Sequence, residues 1–328
     1  MNKTELKQPS SKDVLNLIPC PVCNSSTFNE VLSLSAKEFI TGERKEYYDL
    51  SALNLTLNST FSYQKCTECG FVLANPRLKD EYFNIAYNEA KAEGDKTKEW
   101  RFENSDIGAL YTTYHKYHIL SKLLLPLSFF KHRFSKTRNE TYSKISLLDF
   151  GPGYGNILDL CRVFGIQGTG VDIDENRIAH CKRKGLNVMR PEELDQDKYD
   201  IIISTSVVEH VFDLNYYFDF LQTRMHSESI LIINGLTPNI INIEKKRGYY
   251  TYVSPIEHIN LFTKSTLAEI TNTHNLSEVS STRLFTALRK SPELGMYFLN
   301  YLIRRFFYFD LNKGSFLSIL ELKKNKAP

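Results

Sequence analysis

The feature that most restricts this chain is a glycine turn, Asp149-Phe150-Gly151-Pro152-Gly153-Tyr154-Gly155, set between a strand-like run at 146–150 and a helical one at 157–164. Glycines at alternate positions let the backbone bend sharply and approach a ligand with no Cβ in the way. The helix N-terminus that follows favours an anionic or carboxylate group. Strand and helix then alternate. Strands are expected at 146–150, 167–171, 187–189, 199–204 and 229–233, with helices at 157–164, 175–184 and 216–224. A further helix at 263–275 and a last strand at 315–322 close the pattern. Such βα alternation predicts an α/β fold with a doubly wound, mostly parallel sheet, which binds ligands beyond the carboxyl ends of its strands. Asp172 ends the second strand, where an acid accepts hydrogen bonds from both hydroxyls of a ribose.

Two nucleotide-type ligands suit these facts, and the spacing separates them. The dinucleotide fingerprint is GxGxxG, whereas this chain reads GxGxG, with Asn156 where the third glycine would stand. The acidic Asp149 is also ill-suited to a pyrophosphate neighbour; it suits an ammonium. The run from Asp149 to Gly155, with Gly170-Val171-Asp172 at the next strand end, resembles the cofactor loop of class I S-adenosylmethionine methyltransferases, over roughly residues 145–275. The resemblance implies a Rossmann-like domain in which Asp149, Gly151, Gly153, Gly155 and Asp172 hold S-adenosylmethionine. It places Ile173 beside the adenine face, against the plainer reading of a core aliphatic. It makes Glu192, in Pro191-Glu192-Glu193-Leu194, the reader of the adenine amino group, against the reading of a solvated acid.

At the mouth of that sheet two Glu-His pairs stand out. One is in Val207-Val208-Glu209-His210-Val211, which resembles the strand-four signature of small-molecule methyltransferases. The other, in Pro255-Ile256-Glu257-His258-Ile259-Asn260, resembles the loop after strand five in zinc-containing sugar methyltransferases. Methyl transfer from a sulfonium is a direct displacement, so alignment supplies much of the rate. A poorly acidic acceptor also needs a base, and histidine ionises near working pH. His258 or His210 is the expected base, with Glu257 orienting. The alternative for His210 is cofactor positioning or a bond to backbone, and for Glu209 the closing of a helix N-terminus. The sugar C-methyltransferase pattern has tyrosine and asparagine where this chain has Pro255 and Ser206, which counts against carbon methylation of a ketosugar and leaves O- and N-methylation equally open.

Ahead of this domain lie Cys20-Pro21-Val22-Cys23 and Cys66-Thr67-Glu68-Cys69-Gly70. A two-residue spacer lets both thiolates of a knuckle face one ion, and four sulfurs close a tetrahedral structural zinc site. The long separation between the knuckles demands an inserted hairpin or loop. The Cys69–Arg77 stretch resembles the junction of zinc-ribbon methyltransferases. The organisation expected is a tail at 1–14, a zinc module at 15–77, a helical linker or cap at 78–145 and the methyltransferase domain at 146–328.

Composition excludes other classes. A net charge of +3 over 328 residues lacks the basic stripe that nucleic acid demands. No apolar run reaches the roughly 20 residues of a membrane span, and the polar start of the chain has no signal-peptide core. A cytoplasmic setting is expected, as the sparse cysteines also suggest. The reading is an S-adenosylmethionine methyltransferase acting on a small polar acceptor, most naturally a sugar or nucleotide sugar of surface polysaccharide. The competitors are a nicotinamide-dependent oxidoreductase and a zinc-ribbon binding protein with a degenerate fold. The aromatic segment 291–312 is either core or an acceptor or dimer surface.

Overall fold

A computed structural model of the chain describes residues 14–40, 48, 50–79, 81–82, 144–250, 252–279 and 314–323. Residues 1–13 of the expected tail, most of the 78–145 cap region and the aromatic segment 291–312 lie outside these residues, while Val14, placed at the tail's end, is buried in the N-terminal core.

The N-terminal part builds the hairpin that the distance between the cysteine pairs demands. Strand β1 (Leu15–Asn16) leads past the first knuckle to β2 (Phe28–Ser35), which turns through the short helix α1 (Ala36–Phe39) into β3 (Thr60–Cys66). Beyond the second knuckle come β4 (Val72–Ala74) and β5 (Arg77–Leu78), the latter antiparallel to β1. The β2–β3 register sets Phe28 opposite Cys66, so the hairpin's open end delivers the second knuckle beside the first. Buried Asn75 fastens the lead-in chain, accepting from the Ile18 amide at 3.1 Å and donating to the Ile18 carbonyl at 3.2 Å.

The second part is the doubly wound sheet. Its elements are β6 (Ser146–Phe150), α2 (Asn156–Phe164), β7 (Gln167–Val171), α3 (Glu175–Arg183), β8 (Val188–Met189), β9 (Tyr199–Thr205), α4 (Leu214–Thr223) and β10 (Met225–Leu236). Then follow α5 (Asn239–Arg247), β11 (Asn260–Leu261), α6 (Lys264–Thr273), β12 (Leu276–Glu278) and β13 (Ser315–Leu322). Seven of the strands lie in the order β12-β13-β10-β9-β6-β7-β8, parallel throughout except for β13, which is antiparallel to both its neighbours. Alternate residues feed opposite faces. Leu148, Ile202, Leu231 and Ile233 join the core under α4 and α6, while Leu147, Ile201, Ile203, Ile230 and Ile232 join the core under α2 and α3. Strand order reverses between β6 and β9, the switch point outside which a crevice opens.

Strand β11, α5 and β12 did not show in the hydrophobic pattern. β11 leaves the large sheet's neighbourhood and becomes the edge of the other one, whose order is β11-β4-β3-β2. The N-terminal core is accordingly shared: Phe39, Phe61, Tyr63 and Leu78 pack with Ile240, Ile241, Val253, Ile256 and Ile259.

At the amino ends of the strands, away from the crevice, Asp200 staples three of them together. Its Oδ2 accepts from the Ser146 amide at 2.9 Å and hydroxyl at 3.0 Å, and its Oδ1 accepts from His226 Nε2 at 3.0 Å. The Glu228 amide donates to His226 Nδ1, which fixes the Nε2–H tautomer. Burial works to raise the Asp200 carboxyl, but the His226 and Ser146 bonds outweigh it and hold it below the ordinary range. A depressed folded-state value means stability that is present above about pH 4 and lost on acidification through the lower folded value. Asp200→Ala is expected to cost about 2 kcal/mol at neutral pH. The difference from the parent protein in urea unfolding should shrink as pH falls below 4; a pH-independent difference would contradict this assignment.

Candidate active site

The glycine loop leaves β6 with three consecutive alternate residues in the left-handed region: Gly151 at φ 78°, Gly153 at 56° and Gly155 at 77°. Each glycine is needed for a different reason. A Cβ on Gly151 would stand 2.4 Å from Val207 Cγ2, where the chain leaving β9 crosses the loop. A Cβ on Gly155 would stand 2.4 Å from Leu186 Cδ1. A Cβ on Gly153 would meet no protein atom within 4 Å, so this glycine faces open space at the head of α2. The underside is fixed by Gly151 N–H to the Val171 carbonyl at 2.8 Å and by Lys184 Nζ to the Tyr154 carbonyl at 2.9 Å. Lys184 also pairs with Asp159.

Asp149 is buried at the end of β6, directly under the loop. Asp172 is buried just past β7, with Oδ1 accepting from the Asp174 amide at 3.0 Å, the Gly153 amide facing the carboxylate, and Oδ2 out of water with no hydrogen bond of normal geometry among the described residues. Burial pushes its carboxyl above the usual aspartate range, against the pull of the Asp174 amide and Arg177. An orphaned acceptor here is what a pair of ligand hydroxyls would satisfy. Ile173 is 44% exposed, which removes the plain core reading and leaves an apolar face beside Asp172. Glu192 lies on a 3-10 turn (Pro191–Glu193), exposed and 3.8 Å from Arg190 Nη1. Its neighbour Glu193, rather than Glu192, returns to the backbone at the Arg190 amide.

The two Glu-His pairs converge from opposite ends of the β9–β11 region. Val208–His210 is a 3-10 turn, not the start of the next helix; α4 begins later, capped by Asp213. Glu209, His210 and His258 bring one ligand-type atom each within 4.8 Å of the others, and the two imidazole centroids are 4.8 Å apart. His210 Nδ1 lies 2.9 Å from the Glu257 carbonyl, and His258 Nδ1 lies 2.5 Å from the Tyr252 carbonyl. A carbonyl only accepts, so both rings carry their neutral proton on Nδ1 and a lone pair on Nε2. The sequence reading made Glu257 the group that orients its neighbour; what sets the tautomer of each ring is the atom opposite its Nδ1. Backbone oxygens do this, because the turn in which both Glu257 and His258 amides point at the Ser254 carbonyl sets the Tyr252 carbonyl before the His258 ring.

Several supporting residues escaped the sequence reading. Tyr63 donates to the His258 carbonyl at 2.7 Å, and Asn260 Nδ2 donates to the Val208 and Val211 carbonyls at 3.1 and 2.6 Å. Arg77 donates to the Phe212 carbonyl at 2.9 Å and lies over its ring. Asn260 stood in the motif already singled out, two residues past His258. A tyrosine on a distant hairpin left no signal.

The four cysteines meet. Cys20 and Cys69 sulfurs are 3.5 Å apart, as are those of Cys23 and Cys66, and all four lie within 4.8 Å of one another. The knuckles are built alike. Asn24 N–H bonds the Cys20 carbonyl at 2.8 Å and Gly70 N–H bonds the Cys66 carbonyl at 3.0 Å, both in the left-handed region. Burial works to raise the Cys66 thiol, but the Cys69 and Glu68 amides and the Cys23 sulfur outweigh it and bring it to about 7. Burial pushes up Cys20, to about 11, and Cys69 further still, as it does the core thiols Cys161 and Cys181, to about 12 and about 11.

Comparison with known proteins fits this geometry. The family described as "Methyltransferase domain" matches residues 119–281. A ubiquinone biosynthesis O-methyltransferase of Paramagnetospirillum magneticum is 28% identical over 107 residues, 30% of this chain and 42% of that protein. The enzyme of the same name from Pelagibacter ubique is 28% identical over 115 residues, 32% of this chain and 48% of that protein. The aligned stretch thus spans under half the length of either curated relative. Among solved structures, the plantazolicin methyltransferase BamL, in complex with a triazolic desmethylPZN analogue and SAH, aligns with TM-score 0.52 at 18% identity, over 71% of this chain and 91% of that one. Among the described residues no helix is long and apolar enough to cross a membrane. The sheet order, the glycine loop at its switch point and the family match make this stretch of the chain a class I S-adenosylmethionine-dependent methyltransferase domain.

Proposed function

We propose that the chain transfers a methyl group from S-adenosylmethionine to a hydroxyl of a small polar acceptor, a sugar or nucleotide sugar. The observation that carries the reading is the pairing of three left-handed glycines, one facing open space, with the orphaned buried oxygen of Asp172 at the crevice. Asp149 and Asp172 suit the ammonium and ribose hydroxyls of that cofactor, and Ile173 offers an apolar face for its base. Bound there, the cofactor supplies an electrophilic sulfonium methyl. The chain's part is to exclude water, aim the acceptor oxygen and remove its proton. His258 Nε2 takes that proton while its Nδ1–H stays on the Tyr252 carbonyl, and His210 beside it completes a polar mouth. The O-methyltransferases among the relatives favour oxygen as the acceptor atom. The polar His-Glu lining and the resemblance of the Pro255–Asn260 segment favour a sugar. A mass-spectrometric screen of nucleotide sugars, free sugars and phenols for addition of one CH2 unit tests the acceptor class.

The four sulfurs suit a structural zinc ion. Zn–S bonds of roughly 2.3 Å in a tetrahedron imply sulfur separations of about 3.8 Å, and the observed approaches fall close to this. Full occupation of the coordination sphere leaves that ion no part in the transfer. Elemental analysis of the purified chain is expected to give a zinc-to-chain ratio near one. Cys66→Ser should remove most of the metal and lower the unfolding temperature; a metal-free parent protein would end this reading.

For the cofactor, calorimetry is expected to show binding of S-adenosylhomocysteine and none of NAD. Gly153→Arg should abolish binding by filling the open space before α2. Ligand hydroxyls need the ionised form of Asp172, so affinity should fall as pH drops through its raised value, above the ordinary 3.9 or so. Asp172→Asn should weaken binding by about tenfold or more and erase that acid dependence. Unchanged affinity in both variants would refute the site.

His258→Ala is expected to lower turnover of the acceptor found in the screen by about 100-fold or more, the usual scale of a lost general base. Affinity for S-adenosylhomocysteine should be preserved. Full activity would remove His258 from the reaction.

A further inference from the structure

Helix α5 carries Ile240 and Ile241 into the N-terminal core, and on the same face it carries Glu244, which has no exposed surface. A carboxyl group in such a place is costly unless its oxygens are satisfied, and an apolar side chain of similar size would stabilise the core better. Only one oxygen of Glu244 is answered. Its Oε2 accepts from the Tyr252 amide at 2.8 Å, and its Oε1 is buried with no hydrogen-bond partner among the described residues. Tyr252 is also the residue whose carbonyl receives the Nδ1 proton of His258.

We propose that Glu244 is a positioning residue for His258, acting through residue 252: its carboxylate fixes the Tyr252 backbone and favours the positive charge His258 gains on accepting a proton. The proposal rests on His258 as the base. Glu244 holds residue 252 by its N–H, residue 252 presents its C=O to the ring, and the ring presents Nε2 to the acceptor. When Nε2 gains the proton, the imidazolium lies two hydrogen bonds from a carboxylate set in an apolar core, where charges are weakly screened. The other groups facing His258 are Glu209 and His210 on the 3-10 turn, Glu257 beside it in its own loop, and the Tyr63 hydroxyl on its carbonyl. The Nδ1 side of the ring is held by the Tyr252 carbonyl.

The test uses the full chain with 15N-labelled histidine, His258 being assigned by its loss in His258→Gln. NMR of the parent protein should show the Nδ1–H tautomer at His258; the Nε2–H tautomer would overturn the proposal, whatever the variants do. Glu244→Gln keeps an oxygen for the Tyr252 amide but removes the charge. It should lower the His258 titration midpoint by roughly half to one pH unit, while affinity for S-adenosylhomocysteine stays within about twofold. Glu244→Leu should in addition broaden or lose the tautomer signature. A merely structural Glu244 would lower the unfolding temperature and leave the midpoint where it was, and that result overturns the proposal. Should the parent protein fail to bind S-adenosylhomocysteine while the midpoint still moves, the Glu244–His258 linkage stands and the methyltransferase reading falls.

Discussion

The antiparallel pairing of β11 with β4, only Asn260 opposite Leu73 and Leu261 opposite Val72, is the contact on which the rest of this structure depends. It sews a loop of the methyltransferase domain into the sheet of the cysteine module. Through it the Ile259 carbonyl accepts from the Ala74 amide, Tyr63 reaches the His258 carbonyl, and Asn260 clamps the turn that carries His210. Two residues of strand thus set three things: the edge of one sheet, the roof of the N-terminal core and the mutual placing of two imidazoles. A strand so short has little stability by itself. It persists because Val253, Ile256, Ile259 and Leu261 are all buried by the elements it joins.

That arrangement gives the cysteine cluster a consequence beyond local folding. Cys66 ends β3, three residues past Tyr63, and Cys69 lies three residues before β4. Whatever fixes the four sulfurs therefore fixes the spacing of the two strands that meet the loop carrying His258. The knuckles also pack into the core beneath α4 and α6, where Phe71 and Phe262 stand 4.9 Å apart. An ion holding the sulfurs would act on the mouth of the site through rigid sheet, not through coordination of anything that reacts.

The doubly wound sheet and the cofactor loop were legible because both are local. Near-continuous apolar runs in β6, β9 and β10 are dictated by burial on two faces, and glycines forced into positive φ announce a turn wherever they occur. The same holds for the cysteine knuckles, whose spacing encodes their geometry. What stayed hidden was set by distant partners. β11 carries no alternation because two residues cannot show a period. β12 is paired by β13 across an interval of sequence, and α5 is polar enough to pass for a loop. The orientation of His210 and His258 was beyond reach for a further reason: it is imposed by the carbonyls of Glu257 and Tyr252, and every residue has a carbonyl. Side-chain identity suggested Glu257 as the orienting group; the Nδ1 contacts of both rings run to backbone oxygens, one of them the carbonyl of Glu257 itself, and sequence does not distinguish such atoms.

The closeness of the two histidines adds a constraint of its own. With both Nδ1 protons committed to carbonyls, the two rings offer lone pairs from centroids 4.8 Å apart. A positive charge on one ring would oppose a second on its neighbour, because like charges this close repel. Buried Glu209, within the same 4.8 Å, favours that first charge. On the reading proposed above, a mouth built this way would take a single proton from an acceptor and resist the doubly charged state that would repel a sulfonium beside it. Sulfonium and imidazolium are both cations, and a site that had to hold two of the latter against the former would work against its own reaction.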